Sequence, residues 1–282
     1  MTTNRIRLCT LRKDRKGISP AISSVILTSA VVVMLLVTVA FSNNFLNARI
    51  AENEFGAVKQ FMQTVALQID DVAWTIGRTQ TVRYASRFGL VNFESTALNY
   101  TILVNDNPIA NFSAGILLFN MPTGKYNMGN GYTERITPSS DRSFLQKGTS
   151  APVNHVFVIE KIPMNDGSYI RVVVAPSVRM LNSTIITSNA TKNYYKFYLP
   201  ILSSGVSPRY SQSVTLVGSR VLVEMEGTVS KIKVRVDFPK ASLGFDNDFF
   251  KFNKIEEEIN VPSGSIMEFY TGEVIVSLGL QI

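Results

Sequence analysis

Residues 21–41 read AISSVILTSAVVVMLLVTVAF, a run from Ala21 to Phe41 with no charge, no proline and no glycine. As an α-helix at 1.5 Å per residue it reaches about 32 Å, enough to cross the ~30 Å hydrocarbon core of a bilayer. The core helix of a soluble domain needs a solvent-facing side, and no face of this run carries one. The stretch predicts a membrane-spanning helix. Arg5, Arg7, Arg12, Lys13, Arg15 and Lys16 precede it, whereas Arg49 is the only cation soon after it. The positive-inside bias then puts residues 1–17 on the cytoplasmic side and everything after Phe41 outside.

That leader also accounts for most of the net charge of +7, because its six cations face only Asp14. The rest of the 282-residue chain is nearly balanced and offers no electrostatic footprint for a phosphate backbone, so no nucleic acid is expected as a partner. Charged residues make up 17% of the chain, below the ~25% usual for soluble domains, as expected when one segment is built for lipid. Cys9 is the only cysteine and lies in the leader, which leaves no disulfide and no thiolate for the body of the chain. A body of this length can bury enough core to fold without disulfides.

The junction between leader and span reads Arg15-Lys16-Gly17-Ile18-Ser19-Pro20-Ala21-Ile22. A basic pair and a glycine, followed by Ser-Pro and an unbroken apolar run, resemble the archaeal type IV pilin-like and archaellin-like families with their class III signal peptides. The resemblance implies that a prepilin peptidase reads Lys16 and Gly17, with Ser19 and Pro20 beyond the cut, and that Ile18 becomes the mature N-terminus. It further implies that pilus assembly machinery is a partner and that the retained helix polymerises with copies of itself or with other pilin-like subunits. Glycine suits a backbone that must enter a protease cleft extended, and Pro20 fits the first helical turn, where its missing N–H costs nothing. Ile22 stands where bacterial pilins usually carry a glutamate, which departs from the bacterial pattern. A conventional secretory signal, with Thr38 and Ala40 as its small-residue cleavage site, ranks lower because its apolar region runs to only ~7–15 residues.

Beyond the span, Leu46, Ile50, Val58, Phe61, Val65, Ile69, Val72 and Ile76 recur at spacings of three and four and predict an amphipathic continuation. One helix is therefore expected over residues 18–78, with span 21–41, stem 42–78, an end near Gly77 and candidate kinks at Asn43-Asn44 or Gly56. Packing of the stem on its own domain is favoured over packing on a partner. Within the span Ser24, Thr28 and Ser29 are small polar residues suited to close helix packing between subunits, or simply hydroxyls bonded to their own backbone.

Later segments change texture to short β-branched and alternating runs: YTILV, GILLF, HVFVIE, YIRVVVA, YYKFYLP, RVLVEME, KIKVRVDF and EVIVSLGL. They predict an α+β chain whose domain over 79–282 is a mostly antiparallel sandwich or barrel-like sheet. Asn165-Asp166-Gly167 reads as a hairpin turn, and Glu226-Gly227 as the join between two further strands. Residues 121–151 are polar and rich in Gly, Ser and Thr, which predicts a long surface loop.

Chemistry-bearing patterns are sparse. His155 is the only histidine, and with no thiol in the body a transition-metal site or a Ser-His-Asp triad is not expected. Asp246 with Asp248 and the run Glu256-Glu257-Glu258 do not follow the spacing of a calcium loop and read as solvated charge. No metal, no cofactor and no enzyme activity are expected. Asn99, Asn111, Asn182 and Asn189 begin Asn-X-Ser/Thr triplets on the external side of the topology and are candidate glycosylation sites, though the composition yields several such triplets by chance. The chain thus reads as a pilin-like structural subunit of a cell-surface filament, single-pass with an extracellular domain before assembly. The alternative is a membrane-anchored external binding protein that does not polymerise.

Overall fold

The computed structural model describes residues 20–187, 190–206 and 212–279. Helix α1 is continuous over Pro20–Ala73, including Asn43-Asn44 and Gly56. It stops short of the expected end near Gly77. Thr75 N–H bonds back to the carbonyl of Val72 at 3.1 Å, and Gly77 takes φ +80°, a left-handed conformation that glycine adopts without a Cβ clash. The chain then enters strand β1 (Thr79–Arg83).

Among the described residues ten further strands follow: β2 (Leu90–Val104), β3 (Asn107–Pro122), β4 (Thr133–Thr137), β5 (Leu145–Lys147), β6 (Asn154–Glu160), β7 (Tyr169–Pro176), β8 (Val178–Thr187), β9 (Ala190–Ser204), β10 (Ser213–Asp237) and β11 (Glu256–Leu278), with a short helix α2 (Asn247–Phe250) before the last. They form one sheet in the order β4-β6-β7-β3-β2-β10-β11-β9-β8-β5, and β1 pairs with the start of β10. Most pairs are antiparallel; β9 with β11 and β5 with β8 are parallel. The chain is α+β, an apolar N-terminal helix followed by a large, mostly antiparallel sheet that stays open.

Several details differ from the sequence reading. Strands begin at Thr79, well before YTILV, and the polar stretch 121–151 contains β4 and β5, with Phe144 and Leu145 in the core. RVLVEME and KIKVRVDF are one strand, β10, because Glu226-Gly227 does not reverse the chain. Instead the register against β11 shifts between Glu226 and Val229, where Thr228 takes φ +59°, and the extra residue is absorbed as a bulge. The Asn165-Asp166-Gly167 turn does connect β6 and β7, which pair antiparallel.

Two compact units divide the chain, residues 1–47 and 48–282. Among its described residues the first contains the apolar half of α1. The second has two hydrophobic clusters. In one, Ala51, Phe55, Val58, Met62, Val65, Ile69 and Val72 of α1 meet Leu117, Phe119, Val156, Val158, Val172 and Val174 of the sheet. In the other, the alternating neighbours Ile116, Leu118, Phe157, Ile159 and Val173 meet Phe197, Phe269, Ile232, Val234 and the phenylalanines at 245, 249, 250 and 252. Strands β3, β6 and β7 are thus covered on both faces, which is why VFVI (156–159) and VVVA (172–175) are continuous apolar runs. The sheet curls enough for Phe112 of β3 to stack on Phe269 of β11 at 5.5 Å between ring centroids, across two intervening strands.

Two glycines let the C-terminal end of α1 seat on the sheet. A Cβ on Gly218 would lie 2.6 Å from the Val72 carbonyl oxygen, and one on Gly272 2.8 Å from the Ala73 carbonyl carbon. Such approaches to backbone leave room only for hydrogen.

Candidate functional site

The apolar half of α1 is the first candidate. Every side chain of its most hydrophobic window is unburied, including Leu27, Met34, Leu36 and Phe41. Thr28 Oγ1 donates to the carbonyl oxygens of Ser24 and Val25 at 2.9 and 3.0 Å, Ser29 Oγ to that of Ile26 at 2.9 Å, and Thr38 Oγ1 to that of Met34 at 2.7 Å. These hydroxyls are satisfied inside their own helix, so they can face lipid or a close neighbour without a stranded donor. Ser24 and Thr28, four residues apart, share one face; Ser29 lies a further 100° round. Pro20 is the first helical residue, and Lys16, Gly17, Ile18 and Ser19 lie outside the described residues.

Polar contacts fasten the buried half of α1 to the β domain. The Glu54 carboxylate accepts from Ser86 Oγ and from the backbone N–H groups of Arg87 and Phe88 at 3.0 and 3.1 Å. Lys59 Nζ donates to Glu134 Oε2 at 2.5 Å, and this hydrogen bond is the main reason the Glu134 carboxyl is held below its usual range. Asp70 accepts from Trp74 Nε1 at 2.9 Å and pairs with Arg179 at 3.3 Å. Asn154 Nδ2 reaches the Ala66 carbonyl oxygen at 3.0 Å. Apart from the Asp70–Trp74 bond, which spans four residues, none of these contacts was legible in the sequence, since each joins residues far apart in the chain.

Beside this seam is a cavity of about 360 Å³ lined by Gln63, Leu67, Asp70, Thr137, Pro152 and Asn154. Its lining combines apolar carbon with the amides of Gln63 and Asn154, the Thr137 hydroxyl and the Asp70 carboxylate, and that carboxylate is already engaged by Trp74 and Arg179. Among the described residues no group of three or more His, Cys, Asp or Glu converges as a metal site. Asp246 instead caps α2 by accepting from Phe249 N–H at 3.0 Å and pairs with Lys161 at 2.6 Å. Asp248 pairs with Lys251, while Glu256 and Glu258 pair with Lys233 and Lys231.

His155 is fully buried on β6, with Nε2 2.9 Å from the Ser143 carbonyl oxygen and Nδ1 3.4 Å from Arg135 Nη1. Burial first, and then the Arg135 charge, push its pKa down to about 3, against the Ser143 bond that raises it. Arg135 lies over the Phe157 ring at 4.6 Å and donates to the carbonyl oxygens of Phe250 and Lys251. An unfolded chain takes up the His155 proton near pH 6.5 and the folded one near pH 3, so stability is full above that window and falls as pH drops through it. The slope should approach ~1.4 kcal/mol per pH unit. Melting curves from pH 7 to pH 4 should fall more steeply for the parent than for His155→Gln; equal slopes would show that His155 does not control the acid response.

The candidate glycosylation sites sort by position. Asn111 on β3 and Asn182 on β8 are exposed, whereas Asn99 on β2 is half-buried and accepts from Ser113 Oγ at 3.3 Å. Asn99 and Asn111 lie on one face of neighbouring strands, through the pairs Asn99 with Ser113 and Thr101 with Asn111. Asn189 is outside the described residues. Comparison with family models, with curated proteins and with solved structures finds no match.

Proposed function

We propose that this chain is a pilin-like structural subunit of an archaeal-type cell-surface filament, made as a single-span membrane precursor and assembled through its N-terminal helix. One observation carries the reading: the helix that follows Lys16-Gly17 is apolar on every side and unburied for its first half. Each large apolar side chain left in water forgoes ~1.5–3 kcal/mol, so such a helix must end in lipid or among other apolar helices. A pilin uses both environments in turn. Prepilin peptidase would cut after Gly17, the assembly machinery would extract the subunit, and stems would pack together around Ser24, Thr28 and Ser29. The β domain would then be extracellular, with Asn111 and Asn182 open to modification. Its curled sheet, which brings β3 against β9, supports the barrel-like form of that domain.

The second reading keeps the same helix as a permanent anchor for an external binding domain. It is favoured by the internal satisfaction of the Thr28 and Ser29 hydroxyls, which asks for no neighbouring helix. Mass spectrometry of the N-terminus separates the readings when applied to native membranes and to filaments sheared from cells. The expected result is a chain beginning at Ile18 in both fractions, with Gly17→Val retaining residues 1–17 yet still inserting. A terminus at Phe41, or normal processing of Gly17→Val, would refute the pilin reading. A chain cut at Ile18 but confined to membranes would favour the anchor.

A further inference from the structure

Among the described residues, strand β10 has a neighbour on both edges only near its ends. At its start β1 pairs over Ser213–Val217, extended by hydrogen bonds joining Gly218 to Gly77 and Arg78. Near its end β2 pairs over Ile232–Asp237. Between them residues 220–226, Arg-Val-Leu-Val-Glu-Met-Glu, pair in unbroken register with β11 on one edge and with no strand on the other among the described residues. Register shifts at Gly218/Arg220 and at Glu226/Val229 frame this window. Leu222, Val223 and Met225 are 43%, 46% and 63% exposed.

An edge of this kind is unusual. Natural sheets protect their edges with short strands, charged side chains, proline or bulges. The strands that end this sheet obey that rule: β4 is TERIT and β5 is LQK. Within 220–226 there is no proline and no bulge, and its three charged residues, Arg220, Glu224 and Glu226, carry both signs, so they can pair with a second copy rather than only repel it. One face carries Val221, Val223 and Met225; the other carries Arg220, Leu222, Glu224 and Glu226.

We propose that residues 220–226 of β10 pair antiparallel, edge to edge, with the same residues of a second copy of this chain, about a two-fold axis at Val223. In that register Arg220 faces Glu226 of the second copy, twice over by symmetry, and Leu222 faces Glu224. On the opposite face Val221 meets Met225 and Val223 meets Val223. Opposite-charge and apolar pairs directly across two strands are each stabilising, and an isologous contact needs this self-complementarity. Arg220 already pairs with Glu273 on β11 at 2.7 Å, so in the dimer its guanidinium would lie between two carboxylates. The apolar strip would continue through Tyr270, opposite Val223 on β11, to Tyr198, stacked on it at 5.0 Å.

Other registers are worse for identifiable reasons. A shift that centres the pair on Glu224 sets that carboxylate against its own copy. Centring on Leu222 sets Glu226 against Gly218, whose edge Gly77 and Arg78 already occupy. Shifts that centre between residues place the apolar face of one strand against the charged face of the other.

The contact is independent of how the leader is processed, so full-length protein in detergent tests it. With Cys9, the only native cysteine, replaced by serine, Val223→Cys should form a disulfide-linked dimer under mild oxidation, whereas Val221→Cys, which faces Met225, should not. In the Val223→Cys background, Glu226→Arg should reduce dimer about tenfold, as expected for two lost and now repulsive pairs, and adding Arg220→Glu should restore it. A Val223→Cys chain that stays monomeric, equal cross-linking through residues 221 and 223, or failure of the charge swap to restore dimer would overturn the proposal.

Discussion

Deleting Glu273–Ile282 is expected to leave a chain that does not fold. Val274 and Val276 are fully buried against the α1 side of the sheet, and Leu278 packs beside them. The segment is central, with β10 on one side through Val214–Gly218 and β9 on the other through Ile201–Ser204. Its removal strands both ladders and uncovers Val214, Leu216 and Leu202. Ser277 Oγ accepts from Val206 N–H at 3.2 Å, and the Gly279 carbonyl oxygen accepts from Thr215 Oγ1 at 2.6 Å, so polar closure is lost as well. Each buried side chain contributes ~1.5–3 kcal/mol against a whole-domain stability of ~5–15 kcal/mol. Circular dichroism should show loss of the β spectrum and of any cooperative melt; a melting temperature equal to the parent's would mean that these residues close nothing.

A comparable effect is expected from moving the start of the chain by about thirty residues. Protein beginning at Ala48 keeps the whole second unit and should be soluble, mainly β and cooperative, with one helical segment. Protein beginning at Thr79 loses Phe55, Val58, Met62, Val65, Ile69 and Val72, all nearly fully buried, and exposes the sheet face that they cover. At ~1.5–3 kcal/mol for each large side chain, the lost burial equals or exceeds the stability of an ordinary domain. The Thr79 protein should aggregate on refolding while the Ala48 protein does not. Soluble, cooperative behaviour of both would show that the helix only decorates the sheet.

The correspondence between sequence and structure follows from how local each interaction is. Helix α1 was legible because its hydrogen bonds close within four residues and its apolar stripe follows a 3.6-residue period. Even so, Leu46, Ile50 and Ile76 of the expected stripe are exposed, while Phe55 and Met62 are buried in their place. The charge-free run predicted an unburied span, because no partner inside the chain is needed to make it helical. Most strands were visible as β-branched runs, including the two-sided runs of β6 and β7.

Other features depended on partners distant in sequence. Strand β4 and strand β5 form in a polar stretch because β6 and β8 supply their ladders. Glu226-Gly227 had the composition of a turn, yet pairing with β11 on both sides of it made a bulge the better solution. The seating of Glu54, Asn154 and Arg135 could not be read from the chain for the same reason.

By itself, then, the sequence determined the apolar helix, its amphipathic continuation and the predominance of strands, since these depend on side-chain polarity at fixed short spacings. Only the tertiary structure decided which face of each strand is buried, where α1 ends against Gly218 and Gly272, and that 220–226 has no second strand beside it among the described residues. A strand carries its side-chain pattern with it, but whether its N–H and C=O groups find partners is settled by which strands fold beside it.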